Sequence, residues 1–283
     1  MPSFVHFLLT ALFLSCGVAG AQELPYFVTY SHHLEEPGNL EIENKTAIAH
    51  PQDGNAFLGS AIEFEYGVAG WWTSELYLDG QTAAKEATTF TGFRLENRFR
   101  PLLREHWINP VLYAELEDTN GADKSLLEVV GHDGTSDLAA PVHESSPEKQ
   151  REAELKLILS SDVHAWNLSE NLIFEKNLSN QPWEFGYALA ASHPLALHGV
   201  PRPGSFAPQN FIAGVEMYGG LGDRHAAGLH DTSHYLGPTL SYALPHGVSA
   251  MFSPSFGLNG NSLDHIFRLG LNYEIGQLFA RER

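Results

Sequence analysis

The chain has 283 residues, with 16 Lys+Arg against 34 Asp+Glu and a formal net charge of −18. Such an acidic balance excludes nucleic acid as a partner, because its phosphates would be repelled. Gly (26), Phe (17) and Tyr (10) are plentiful while Leu-rich helical periodicity is scarce, and no stretch beyond the first twenty-odd residues is apolar for long enough to cross a bilayer as a helix.

Val5 to Val18 is an apolar run, and "AGA" at Ala19–Ala21 follows it. A short apolar core ending in small residues reads as a secretory signal peptide over 1–21, leaving 22–283 as the exported domain. The leading "MPSFVH" lacks the Lys or Arg usual there, and Phe13 and Leu14 fit a lipoprotein box around Cys16 poorly. Cys16 is the chain's only cysteine, so the exported domain can form no disulfide.

After the signal, "PYFVTYSHH" is strand-like and reads as an extra strand, a plug or a leader. From there a period of two recurs, the mark of strands whose successive side chains face opposite ways. "AIEFEYGV" sets Ile62, Phe64, Tyr66 and Val68 against Glu63, Glu65 and Gly67. "TTFTGFRLENRFR" sets Thr91, Phe93, Leu95, Asn97 and Phe99 against Gly92, Arg94, Glu96, Arg98 and Arg100. "INPVLYAELE" sets Leu112, Ala114 and Leu116 against Asn109, Tyr113, Glu115 and Glu117, and "EAELKLIL" sets Leu155, Leu157 and Leu159 against Glu152, Glu154 and Lys156. "WEFGYALAA" and "FIAGVEMYGG" turn Glu184 and Glu216 away from their apolar faces. In "FRLGLNYEIG", Phe267, Leu269, Leu271, Tyr273 and Ile275 oppose Arg268, Gly270, Asn272, Glu274 and Gly276.

One face is nearly charge-free over roughly 9–11 residues, the length a tilted strand needs to cross a bilayer. A soluble sandwich has commonly shorter strands, about 5–6 residues. The pattern therefore predicts an all-β, antiparallel transmembrane barrel of about twelve strands, even in number as in single-chain bacterial barrels. Trp71, Trp72, Trp107, Trp166 and Trp183 fall at or near strand ends, where membrane barrels carry aromatic girdles. Connections such as "VAG", "SSD" and "PHG" are short on one side, and longer ones alternate on the other. His193–Gln209 breaks that asymmetry, being long on the short-turn side.

By these features the sequence from Gln22 onward resembles a Gram-negative outer-membrane β-barrel. Blocks such as "GNAFLGSAIEFEYGVAGWWTSELYLDGQT", "RLENRFRPLLREHWINPVLYAELED" and "GGLGDRHAAGLHDTSHYLGP" resemble an uncharacterised bacterial exported-protein family, and the chain is faintly similar to the MetA-type barrel channels of phenol degradation. The resemblance implies residence in the outer membrane, with its lipid as solvent. One departure is the C-terminus: such barrels end on an aromatic, whereas Phe279 is followed by Ala-Arg-Glu-Arg.

Facing inward, Glu63, Glu65, Glu75, Arg94, Glu96, Arg98, Arg100, Glu115, Glu152, Glu154, Lys156, Glu175, Glu184, Glu216, Arg268 and Glu274 would line the lumen. Acid outnumbers base, which favours small cations or polar neutral solutes over anions. The main expectation is thus a passive channel for such solutes, with a polar lumen throughout and no cofactor. The rival is a barrel whose charges pair and fill it, serving a structural or interaction role. A soluble periplasmic β-sandwich binding protein and a barrel lipid hydrolase stand behind these two. The hydrolase would use Ser233 with His234 or Ser31 with His32, but neighbours on a strand face opposite ways and no G-x-S-x-G is present. His225, His230 and His234, with Asp223 and Asp231, form a weak candidate metal group in a loop, where solvated histidines are the simpler reading. The Asp-rich and Glu-rich segment Asp118–Lys149 reads as a solvated surface loop or as a segment folded over the mouth.

Overall fold

The computed structural model describes residues 24–124, 129–132, 138–139, 141–142, 149–179, 181–197, 202 and 204–278. The proposed signal peptide and the residues after Leu278 lie outside them. Twelve strands run in order: β1 (Leu40–Ala49), β2 (Phe57–Ala69), β3 (Trp72–Ala83), β4 (Thr88–Phe99), β5 (Asn109–Asn120), β6 (Lys149–Val163), β7 (Trp166–Asn177), β8 (Trp183–Pro194), β9 (Phe211–Asp223), β10 (His234–Ala243), β11 (Val248–Gly257) and β12 (His265–Ile275). Each pairs antiparallel with its sequence neighbours, and β12 returns to β1 to close the barrel. Closure satisfies every edge, which hydrocarbon demands. Both described ends of the chain lie at one mouth, here the terminal mouth, with the turns β2–β3, β6–β7 and β10–β11. The longest connection, between β5 and β6, lies at the far mouth, while the β8–β9 connection is long on the terminal side, as the sequence predicts.

Alternation divides the two faces as expected. Ile62, Leu76, Leu95, Leu112, Leu155, Phe252, Leu269 and Leu271 are exposed on the outside, while Glu63, Glu75, Arg94, Glu96, Glu154 and Arg268 are buried within. So much apolar surface on every strand would not stay dissolved, and the soluble sandwich is overturned by the closed barrel itself. The fold is that of an outer-membrane barrel. Because Leu271 is 54% exposed in mid-β12, replacing it with Arg is expected to weaken folding into lipid by about 2–4 kcal/mol. Reversible unfolding in bilayer vesicles would measure that loss, and an unchanged midpoint would contradict the lipid-facing assignment.

The aromatic belt is lopsided. Trp71, Trp72, Trp107, Trp166, Phe99, Phe211, Tyr242 and Tyr273 all gather at the terminal mouth, while Trp183 begins β8 at the other. Phe206, Phe211 and Tyr242 stack there, with centroids 4.6–6.4 Å apart.

Two details depart from the sequence reading. The register of β3 against β4 shifts between Asp79 and Gly80, so that Gly92 pairs with Asp79 and Phe90 with Gly80. Thr91 falls in that bulge and is buried, not outward beside Phe93 as alternation alone predicts. The interior is also not polar throughout. Ala47, Ala49, Phe57, Ala83, Tyr218, Tyr235, Met251 and Ile266 face inward and form one apolar cluster, toward the far mouth.

Candidate functional site: the occupied lumen

The strand-like "PYFVTYSHH" is a plug. It adds no strand to the wall, which closes with twelve strands without it. Residues 25–34 dip into the lumen from the terminal mouth, with Tyr26, Phe27, Val28, Thr29 and His32 buried. Three consecutive backbone N–H groups, of Phe27, Val28 and Thr29, donate to the Glu216 carboxylate of β9 at 2.7–3.1 Å. One strand further along the same side of the wall, beyond β8, Asn171 of β7 accepts from the Tyr30 N–H at 2.6 Å and donates to its carbonyl at 2.9 Å, as a strand partner would. These wall side chains replace the partners that a sheet would have given the segment's backbone.

Its two tyrosines fix the remaining contacts. Tyr26 Oη donates to Ser192 at 2.8 Å and lies 3.0 Å from Asn167 Oδ1. Tyr30 Oη donates to Glu96 at 3.0 Å. Burial pushes both phenols well above their ordinary range, and the nearby Glu96 and Glu75 carboxylates add to the rise at Tyr30. Both stay protonated donors. Lys156 sits over the Tyr30 and Tyr113 rings at 4.7 and 4.2 Å, and Arg98 faces Tyr30 from 5.2 Å.

Around the plug the wall charges pair. Arg98 meets Glu65 at 2.6 Å, Glu96 at 3.2 Å and also Glu75. Arg94 binds Asp79 through two nitrogens at 3.0 and 3.1 Å, with Glu115 at 3.7 Å. Lys45 bridges Glu43 and Glu63 at 3.1 and 2.9 Å, and Lys156 meets Glu154 at 2.9 Å. Arg268 donates to Tyr218 and to Ser255. The gap left among Phe27, Val28, Tyr30, Lys45, Tyr77, Arg94 and Lys156 is about 10 Å³, room for about one water molecule.

The remaining expected lumen residues sit nearer the ends. Glu274 accepts from Asn39 at 2.7 Å at the terminal mouth, and Arg100 pairs with Glu105 in the β4–β5 turn at 2.5 Å. Glu152 accepts from Asn177 at 2.8 Å and lies near Glu117 and Glu175 toward the far mouth. There Glu184 meets the inward-folded connection between β5 and β6. Ala122, Val129, Val130, Leu138 and Val142 of that connection are buried, several of them in the same apolar cluster as Phe27 and Val28. The Gly131 N–H donates to the Phe185 carbonyl, and Val142 N–H to Glu86. Of the two readings for Asp118–Lys149, the solvated loop fails for its described residues; they fold into the mouth.

Inward glycines serve this crowding. A Cβ on Gly67 would stand 2.1 Å from the Glu36 carbonyl oxygen where the amino-terminal segment enters, and one on Gly220 2.2 Å from the Gly131 oxygen. They make room for chain, not for an open pore.

The loop histidines are not gathered. His225 and His230 are exposed, while His234 is buried against Tyr187 and Thr232. Neither sequence-adjacent Ser–His pair forms a dyad: Ser233 Oγ donates to the Asn261 carbonyl, and Ser31 Oγ accepts from the His33 N–H. His32 instead lies 2.8 Å from Ser160 Oγ of β6 and 3.0 Å from Glu105. That chain of groups has the order of a hydrolytic triad. Ser160 is buried, however, and its hydroxyl is shared with Ser169 and Asn167, leaving no face for a substrate.

A closed twelve-strand barrel with a charged, filled interior defines the class: an outer-membrane barrel. The structure is similar to an outer membrane channel from Pseudomonas putida F1, with a TM-score of 0.52 and 13% identity over 86% of this chain and 96% of that one. It is also similar to the KdgM porin solved in complex with disordered oligogalacturonate, with a TM-score of 0.50 and 8% identity over 83% and 98%. No protein-family model and no curated protein matches the sequence.

Proposed function

We propose that the protein resides in the outer membrane as a non-enzymatic channel for small polar or cationic solutes, held closed by its own amino-terminal segment. The observation that carries this reading is the way the segment is held: by hydrogen bonds to wall side chains, outside the closed ring of strands. Its departure would break no strand pairing. The terminal mouth, with its tight turns β2–β3, β6–β7 and β10–β11 and the one long β8–β9 connection, then faces the periplasm, and the long β5–β6 connection faces the exterior. The wall it would uncover is acid-rich, with Glu43, Glu63, Glu65, Glu75, Glu96, Glu115, Glu154 and Glu216 against Lys45, Arg94, Arg98, Lys156 and Arg268. Fixed negative charge gathers cations in a narrow passage. A carboxylated sugar such as the oligogalacturonate bound by the KdgM porin would be repelled from it.

Planar-bilayer recording tests this. The full chain is expected to be silent or to open rarely, and a variant lacking residues 24–36 to conduct steadily with cation preference across a salt gradient. Anion preference would defeat the solute assignment. A second reading, a permanently filled barrel with a structural or interaction role, is favoured by the wall-to-wall pairs Arg94–Asp79 and Arg98–Glu75, which survive removal of the segment. Silence of a correctly folded deletion variant would establish that reading instead.

A further inference from the structure

The sequence pair His32-His33 is unused by the lumen contacts above, and the fold brings it to a place with its own chemistry. At the terminal mouth, His32 and His33 of the plug meet Asp162 at the end of β6 and Glu105 in the β4–β5 turn. Asp162 Oδ2 lies 3.0 Å from His33 Nε2 and 3.7 Å from His32 Nε2. Glu105 Oε2 lies 3.0 Å from His32 Nε2. For bonds of about 2.0–2.1 Å in a tetrahedron, ligand atoms stand roughly 3.3 Å apart. The two Asp162 separations bracket that value, and the donors of His32, His33 and Asp162 all fall within 4.8 Å of one another.

Two of these ligands, Asp162 and His32, are also backed by a partner on their other side. Asp162 accepts from Asn167 through Oδ1 at 2.7 Å, which leaves Oδ2 aimed at the imidazoles. Glu105 gives Oε1 to Arg100 and turns Oε2 inward. His32 is anchored through Nδ1 to Ser160 at 2.8 Å. Such outer contacts orient ligands in metal sites. The second, independent mark is His32 itself: it is 0% exposed, and its buried Nε2 has no aligned hydrogen-bond partner despite the carboxylate oxygen 3.0 Å away. A nitrogen held in front of two carboxylate oxygens without a hydrogen bond is placed for a shared cation.

We propose that His32, His33 and Asp162 bind one divalent transition-metal ion of the zinc class, which clamps the plug to the barrel wall at the terminal mouth. Two imidazole nitrogens and one carboxylate oxygen, with a fourth position open to water, suit zinc. The partial exposure of His33, Asp162 and Glu105 gives the ion a way in. Because two ligands belong to the plug and one to the wall, binding the ion and holding the plug become one event. The site stands whether or not the barrel conducts, since it is read as bound metal.

The test uses the full chain, refolded in detergent and stripped with chelator, with zinc chloride as the probe. Wild type is expected to keep one zinc ion per chain through gel filtration, and zinc is expected to slow proteolysis of the amino-terminal segment. His33→Ala and Asp162→Asn, both at half-exposed positions, are each expected to lose the ion and the protection. A double variant of the exposed loop, His225→Ala with His230→Ala, is expected to keep both. Heat-modifiable gel mobility shows that each barrel is folded. Failure of wild type to retain zinc overturns the proposal, as does loss of zinc in the loop double variant with full retention in the two site variants.

Discussion

Glu216→Ala is expected to release the amino-terminal segment from the lumen while leaving the barrel closed. The Glu216 carboxylate is fully buried and accepts from three consecutive backbone N–H groups. Removing it strands those donors in a site with little room for water, and each buried orphan costs about 1–3 kcal/mol. At the low end the docked state loses about 3 kcal/mol, with each bond charge-assisted and hence stronger than a neutral one. The other anchors, Tyr26 to Ser192 and Tyr30 to Asn171 and Glu96, are individually worth about 1 kcal/mol or somewhat more. Losing the largest of them should tip the balance. Amide hydrogen exchange reads the result: Phe27, Val28 and Thr29 are protected in wild type and exchange fast in the variant, with strand amides unchanged. Equal protection in both would mean that the segment is held by packing, through Phe27 and Val28, and not by Glu216.

The wall was legible in the sequence because its information is local. A strand exposed to lipid on one side and to a charged interior on the other must alternate; β12 does so over nearly its whole length, and β2 does so as far as its irregularity at Gly67 and Ala69. What interrupts alternation is less visible. Thr91 breaks phase in β4 because a bulge against Asp79 and Gly80 admits one extra residue, and nothing in "TTFTGF" marks which position it takes. The contents of the lumen were less legible still. "PYFVTYSHH" alternates like a strand, so its pattern announces an extended chain but not where the chain goes. Its partners Glu216, Asn171 and Ser192 stand 141–189 residues away.

Two signals did point toward a filled barrel. Val129, Val130, Leu138 and Val142 are apolar residues in an otherwise acidic connection, which a solvated loop has no reason to carry. The inward glycines Gly67 and Gly220 are the other. Small residues on a polar face suit a wide pore as well as a close chain crossing, and only the positions of the Glu36 and Gly131 carbonyls decide between them. Alternation alone turns the charged set away from the apolar face, but its pairing depends on register between strands, as between Arg98 of β4 and Glu75 of β3.

That pairing sets the largest effect on the barrel itself. Arg98→Met is expected to destabilise the folded barrel by about 3–5 kcal/mol, the cost of removing one partner from a buried ionic group. The Arg98 guanidinium is the cation shared by Glu65, Glu75 and Glu96, all of them buried, and Met keeps much of its volume without the charge. Left alone, three carboxylates must repel one another, take up protons or draw in water. Arg100→Met serves as the contrast: its partner Glu105 is more than half exposed, and such pairs are worth about 0–1 kcal/mol. Unfolding midpoints in urea, followed by heat-modifiable mobility, separate the two. Coupling gives the sharper check. If Arg98 acts by neutralising Glu75, Glu75→Gln added to Arg98→Met should recover part of the loss, because the double variant buries one charge fewer. An Arg98→Met barrel as stable as wild type, or a double variant whose loss equals the sum of the single ones, would show that the acids hold their places without the guanidinium.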